Sequence, residues 1–328
     1  MLNRSFNPLV ILFGHAAALL IAVCSSGCFR DQHAAMMKYA KSGDEYAAAG
    51  KNAEAIIQYR NALEKEPQAG DVRLKLADAY LKQGEAAKGV QEYIRAADVL
   101  TDSNVQLRAG ALLLMARRFD DAKVRAEKVL AGEPKNVDAQ VLLANALAGL
   151  KDLDGAVSEL EEAIQLNPDR SATYANLGQL ELGRGRREAA EQAFKRAVEL
   201  APQSAAPHLA LGSFYWATSR LAEAEPELTR ALKAEPDNVL ALRSVATFYL
   251  ATSRRDHAEP YLRRVYEITK SEPAALALAD FYTLQKRDAD ARGLLEPLTK
   301  DPKTSGSASM FSKSTKAGAS VNSHGRGR

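Results

Sequence analysis

The chain has 328 residues, 46% of them hydrophobic but only 6% aromatic, and its formal net charge at pH 7 is +3. Residues 303–328 contribute five positive charges and residues 1–27 contribute one, so subtracting both ends leaves residues 28–302 with a net charge of −3. A mildly acidic body excludes nucleic acid as an expected partner, because nucleic-acid binding needs a clustered basic face.

The N-terminal segment, residues 1–27, has the three zones of a secretory signal. Arg4 supplies the positive charge, an apolar run extends from Pro8 to Val23, and small polar residues follow. The run is shorter than the about 20 apolar residues that a membrane-spanning helix needs. We therefore expect residues 1–27 to be a signal peptide that is removed after export, with a retained membrane anchor as the alternative.

Both cysteines of the chain lie in the stretch CSSGC, residues 24–28. Its last three residues, Ser26 to Cys28, resemble the cleavage site of a bacterial lipoprotein signal, where small residues precede a cysteine. Ser25 departs from that pattern, because an apolar residue usually stands there, and Cys24 is the competing site. The resemblance implies that Cys28 becomes the first mature residue and carries a diacylglyceryl group and an acyl chain such as palmitate. An ordinary cleaved signal without lipid is the alternative.

The resemblance also implies a location. Several acyl chains together give stable membrane anchoring. Phe29, rather than Asp, follows Cys28, which in such lipoproteins favours the outer membrane over the inner one, facing the periplasm. Residues 28–35 form the expected linker, and the seven residues after Cys28 span at most about 25 Å when extended, so the body is expected close to the membrane surface.

A repeat occupies most of the remaining chain. Residues 42–67, 177–202 and 211–236 share one order of features: a small residue, an aromatic residue or Leu, a turn, Ala, a bulky apolar residue, Ala and Pro. The closing prolines Pro134, Pro168, Pro202 and Pro236 are 34 residues apart. A fixed period of this length is typical of stacked pairs of helices.

This pattern resembles the tetratricopeptide repeat. The resemblance implies an all-α, right-handed α-solenoid of about eight helix–turn–helix units over residues 36–302, in which each repeat contacts only its neighbours. The eighth repeat can also be read one residue later, with Ala279, Tyr282, Ala291 and Leu295 in the key positions. The expected repeat starts are Met36, Gly70, Ser103, Val137, Ser171, Ala205, Val239 and Ser271.

Small residues are expected where the two helices of a repeat approach closely, because larger side chains would push the helices apart. Gly50, Gly84 and Gly185 are expected in the turn between them, where a left-handed residue ends the first helix. The expected close-packing positions are Gly43, Gly110, Gly178 and Gly212 in first helices and Ala55, Ala122, Ala156, Ala190, Ala224 and Ala258 in second helices.

The C-terminal segment, residues 303–328, is rich in Ser, Gly and Lys. It is expected to be disordered, because it cannot bury enough apolar surface to fold. A natural tail and the product of a truncation or a reading-frame change both remain open interpretations.

No pattern in the sequence predicts catalysis. No two histidines have the close helical spacing of a zinc motif, and there is neither a phosphate loop nor a nucleophile elbow. We therefore expect no enzyme activity, no metal and no cofactor. The expected partners are other proteins or peptide segments.

The family resemblance implies a concave groove lined by the first helices. Some relatives clamp a peptide's terminal carboxylate with two Asn and three basic residues. Asn145 and Asn176 match the Asn positions, but Val141, Ala206 and Ala210 stand at the basic ones. A clamp of that kind is therefore not expected, because the charge-assisted bonds to a carboxylate would be missing.

Six residues are candidates for partner binding in this groove. Trp216 could anchor a partner, although it could instead pack against the neighbouring repeat. The six candidates are Asn145, Asn176, Gln179, Trp216, Arg243 and Thr247.

Together these features predict a non-catalytic, lipid-anchored scaffold for protein–protein interaction in the bacterial envelope. The chain resembles the repeat lipoproteins of exopolysaccharide and exosortase systems, and those that help pilus secretins assemble. The alternative is a non-catalytic repeat subunit of an envelope enzyme complex, such as the arm of a glycosyltransferase or peptidase. A purely structural spacer is a further alternative.

Overall fold

Sixteen α-helices and no β-strand make up residues 31–299, which are the residues that the computed structural model describes. The predicted all-α class is therefore confirmed. Helix α1 covers residues 31–48, so residues 31–35, predicted to belong to a linker, are helical. The other helices are α2 (Asn52–Lys65), α3 (Gly70–Lys82), α4 (Ala86–Val99), α5 (Ser103–Met115), α6 (Phe119–Gly132), α7 (Val137–Gly149), α8 (Leu153–Leu166), α9 (Ser171–Gly183), α10 (Arg187–Leu200), α11 (Ala205–Ala217), α12 (Leu221–Ala234), α13 (Val239–Ala251), α14 (Arg255–Thr269), α15 (Glu272–Leu284) and α16 (Asp288–Thr299).

The helices pair in sequence, α1 with α2 and so on to α15 with α16, and the odd-numbered member is called the first helix of its pair. Each first helix from α3 to α15 has 13 residues. From Gly70 to Val239, the first helices begin at the predicted repeat starts. Helix α15 begins at Glu272, so the later reading of the eighth repeat is confirmed.

The turn inside each helix pair contains a residue in the left-handed conformation. Gly50, Gly84 and Gly185 have φ angles of 73°, 85° and 78°, as the sequence predicts. Other pairs use a residue with a side chain at this place, such as Ser253 with φ of 61°. Its N–H donates to the carbonyl of Leu250 at 3.2 Å, which ends α13 in the way that the glycines end their helices.

Close packing within pairs depends on the small residues. A Cβ added at Gly178 would lie 2.8 Å from the Phe194 ring, and one at Gly212 would lie 2.9 Å from Leu228. Gly110 differs, because a Cβ there would meet Leu142 of the following pair at 2.4 Å. The predicted second-helix alanines are fully buried.

The chain divides into two units, one ending at Leu166 and one beginning at Asn167. The first holds α1 to α8 and has several small cores rich in Ala and Leu. The second holds α9 to α16 and has one large core that includes Phe194, Phe214, Phe248 and Phe281. The rings of Phe194 and Phe214 lie 5.5 Å apart, so aromatic contacts connect successive helix pairs of the second unit.

Candidate functional site

A cleft of about 540 Å³ lies between first helices α13 and α15 of the second unit. Arg243, Thr247 and Leu250 form its α13 wall. These residues are four and three positions apart, so they share one face of the helix. Leu262 and Val265 of α14 also line the cleft. We call this site the α13–α15 cleft.

The opposite wall belongs to α15. Ala277, Asp280 and Leu284 repeat the helical spacing at three and four residues, and Phe281 lies beside them. Val265 and Phe281 are buried, whereas the Leu284 side chain is 66% exposed. The small Ala277 leaves room that a larger side chain would fill.

Both walls begin at well-defined helix starts. Asn238 precedes α13, and its side-chain oxygen accepts a 3.0 Å hydrogen bond from the Ala241 N–H. Helix α15 follows Ser271 and carries Pro273 in its first turn, where the missing N–H costs nothing. These local signals set where α13 and α15 begin.

The cleft carries one positive and one negative side chain. Arg243 on α13 and Asp280 on α15 are both exposed, and within the described residues neither side chain makes a hydrogen bond or an ion pair. The Thr247 hydroxyl donates a 2.8 Å hydrogen bond to the Arg243 carbonyl oxygen, so it remains available only as an acceptor. The cleft can therefore hold an apolar group between Arg243 and Asp280, and each of these side chains can form an ion pair with a bound molecule.

The structure brings together two of the six predicted groove residues, Arg243 and Thr247, on this cleft. Trp216 on α11 is half-buried, and its ring packs edge-to-face against Phe248 of the next helix pair, with centroids 5.5 Å apart and planes at 87°. This is the neighbouring-repeat packing that the sequence left open. A contact between Trp216 and a partner stays a prediction.

The other predicted residues lie apart from the cleft. Gln179 is exposed and Asn176 half-buried on α9 of the second unit, whereas Asn145 is half-buried on α7 of the first unit. Within the described residues these three side chains form no hydrogen bond, so their role stays a prediction. Cys28 lies outside the described residues.

The sequence reasoning missed a cluster that occurs three times in the second unit. In its middle copy, the Tyr249 hydroxyl donates to Glu225 at 2.8 Å, and the Arg254 guanidinium donates to the same carboxylate at 2.6 Å. The guanidinium also lies 4.9 Å from the Tyr249 ring centroid. The glutamate comes from a second helix, and its two partners come from the following helix pair.

The same arrangement joins the pairs on either side. Tyr215 donates to Glu191 at 3.2 Å and Tyr282 to Glu259 at 3.3 Å. Arg220 donates to Glu191 at 3.3 Å through Nη2, and Arg287 donates to Glu259 at 2.7 Å. A period of 34 between the glutamates, and of 34 and 33 between the tyrosines, is the sequence signal that could have revealed these clusters.

The clusters shift the pKa values of their members. Hydrogen bonds from Arg220 and then Lys195 lower the pKa of Glu191 to about 2. The Arg254 hydrogen bond lowers the pKa of Glu225 against the effect of burial. Burial and then the hydrogen bond to Glu225 raise the pKa of Tyr249 to about 12. At neutral pH Glu191 and Glu225 are therefore ionised, and the Tyr249 hydroxyl remains a donor.

Within residues 31–299, no cluster of His, Cys, Asp and Glu side chains has the arrangement of a metal site. None of the helices in this part of the chain has both the length and the apolar character needed to cross a membrane.

Models of the tetratricopeptide repeat match more than half of the chain. One matches residues 113–180, 147–214 and 181–247, and a second matches residues 41–104. The overlapping matches begin 34 residues apart, which is the period of the helix pairs, and the last one ends at residue 247 within α13.

Two curated proteins resemble parts of the chain. Human tetratricopeptide repeat protein 21B is 27% identical over 150 residues, which are 42% of this chain and 11% of that protein. The DnaJ homolog subfamily C member 3 of Gallus gallus is 26% identical over 104 residues, which are 32% of this chain and 21% of that protein. The chain therefore matches only a small part of either relative.

Among solved structures, yeast Tom70 superposes with a TM-score of 0.64 at 17% identity, covering 84% of this chain and 60% of Tom70. At this level of identity the likeness shows a shared fold.

Proposed function

Because the chain belongs to the tetratricopeptide-repeat family, we propose that it is a non-catalytic scaffold that binds a segment of a partner protein in the α13–α15 cleft. One observation carries this proposal. The cleft combines an apolar lining with the unpaired charges of Arg243 and Asp280. Burial of apolar surface would supply affinity, and the two charges would select the partner.

We also propose that the scaffold is anchored by lipid on Cys28 at the outer membrane, facing the periplasm. The signal-like segment 1–27 and the lipoprotein-like cleavage site support this location. A scaffold held there would serve in the assembly of an envelope, secretion or polysaccharide system.

Site-specific photo-crosslinking in native membranes tests the binding proposal. A photo-reactive amino acid would replace Thr247 in the cleft, and in a matched control it would replace Ala222, which is exposed on second helix α12. We expect a discrete adduct from position 247, none from position 222, and loss of the adduct when Arg243→Glu is added. Equal adducts at both positions, or none at position 247, would refute binding in the cleft.

A further inference from the structure

The two charges that border the α13–α15 cleft are peculiar to this part of the second unit. Ala175 in α9 and Leu209 in α11 stand at the helix position of Arg243. Asp280 takes the position at which the preceding first helices carry the neutral residues Gln179, Ser213 and Thr247. A cation and an anion therefore face each other only across this gap between first helices of the second unit.

The apolar part of the cleft is also specific to this place. Leu284 is a large exposed apolar side chain at the end of α15, whereas Gly183, Ala217 and Ala251 stand at that position in α9, α11 and α13. With Leu250 and Phe281 it offers apolar surface around an open volume of a size typical of binding sites.

We propose that the cleft recognises a peptide in which a bulky apolar side chain lies between an acidic and a basic residue. The apolar side chain inserts between Leu250 and Phe281, the acidic residue pairs with Arg243, and the basic residue pairs with Asp280. This inference rests on the proposed scaffold function, because it names the kind of segment that the scaffold holds. Charges on opposite walls also fix the direction in which the peptide lies.

Charge complementarity disfavours peptides whose charges are all of one sign, including residues 303–328 of this chain. An acidic peptide would bring its second carboxylate to Asp280, and a basic peptide would bring a cation to Arg243, so each would suffer like-charge repulsion. Residues 303–328 of this chain carry five cations and no acid. They could therefore satisfy Asp280 but would leave Arg243 facing positive charge.

Fluorescence anisotropy with the full chain tests the inference. The first probe is a short labelled peptide with one Glu, a central Leu-Phe pair and one Lys. The second probe replaces both charges with Gln, and the third replaces the Leu-Phe pair with two Ala. We expect the second probe to bind about three- to tenfold more weakly than the first, because exposed ion pairs contribute modestly. The third probe should bind more than about tenfold more weakly than the first, because apolar burial supplies most of the affinity.

A charge exchange identifies the pairing. The Arg243→Glu variant should bind the first probe more weakly than the unmodified chain does. It should regain affinity for a fourth peptide, in which Lys replaces the Glu of the first probe. Arg255→Glu is the matched control, because Arg255 is exposed at the start of α14 and lies outside the cleft. It should leave the affinity of every probe unchanged, and circular dichroism should show that both variants remain helical.

Three outcomes would overturn the inference. The first is equal affinity for all three probes. The second is equal affinity of the Arg243→Glu and Arg255→Glu variants for the first probe. The third is that a chain ending at residue 302 binds the first probe far more tightly than the full chain does. The last result would mean that residues 303–328 occupy the cleft. If position 247 crosslinks to a partner but no probe binds, the proposed scaffold function survives and only the peptide chemistry is wrong.

Discussion

The Tyr249 hydroxyl donates a 2.8 Å hydrogen bond to the carboxylate of Glu225, which belongs to the preceding helix pair. Arg254 reaches the same carboxylate, so one glutamate of a second helix is held by two residues of the next pair. Stacked helix pairs owe much of their stability to the interfaces between neighbours. The three Glu–Tyr–Arg clusters therefore add polar contacts to interfaces that are otherwise mainly apolar.

Removal of the Tyr249 hydroxyl should destabilise the second unit. Tyr249→Phe deletes the hydrogen bond to Glu225 and keeps the ring, so we expect the free energy of unfolding to fall by about 1 kcal/mol. Urea denaturation followed by circular dichroism measures this change. Tyr261→Phe is the matched control, because Tyr261 stacks on Tyr249 at 5.9 Å but its hydroxyl makes no hydrogen bond within the described residues. Equal losses in the two variants would contradict the role of the cluster.

Acid should weaken the cluster around Glu191. Its pKa is lowered from 4.5 to about 2 in the folded chain, so its stabilising effect is fully present above the unfolded value and is lost as the pH falls from about 5 to 2. Glu191→Gln should be less stable than the unmodified chain at pH 7, and its stability should depend less on pH across this range. Urea midpoints measured at several pH values would show this. Parallel pH profiles for the two proteins would show that Glu191 is not responsible.

Two glycines of the second unit should respond oppositely to replacement by alanine. A Cβ at Gly212 would lie 2.9 Å from Leu228 and 3.1 Å from its backbone nitrogen, whereas a Cβ at Gly293 in α16 meets nothing within 4 Å. Gly212→Ala should therefore cost about 1–3 kcal/mol through overpacking. Gly293→Ala should add about 0.5–1 kcal/mol, because alanine favours the helix. Thermal melts of both variants test this difference, and destabilisation by Gly293→Ala would refute the account.

The sequence predicted where the six first helices from α3 to α13 begin, because each repeat carries its own local signals. Proline ends a second helix and glycine turns the chain within a pair, and these effects depend on few neighbours. The contact of Gly110 with Leu142 was not predictable in this way, because it joins successive pairs.

The cleft was predicted only in part. The helical positions of Arg243 and Thr247 placed them on a candidate face. The open space depends on the distance between α13 and α15. That distance follows from the packing of α13, α14 and α15, which also brings Leu262 and Val265 to the cleft. Asp280 was missed because the sequence left two registers open for the eighth repeat, and the start of α15 at Glu272 decides between them.

Lipid anchoring makes a prediction that separates the two cysteines. If Cys28 is the modified residue, Cys28→Ala should remain as an uncleaved precursor or appear in the soluble fraction, and intact-protein mass spectrometry should find no acyl chains on it. The matched control is Cys24→Ala, because Cys24 leaves with the signal in this scheme and its loss should not alter lipidation. Several acyl chains are needed for stable anchoring, so the control should stay in the membrane fraction. If instead Cys24→Ala loses the lipid and Cys28→Ala keeps it, the modified residue is Cys24, and the mature chain begins four residues earlier.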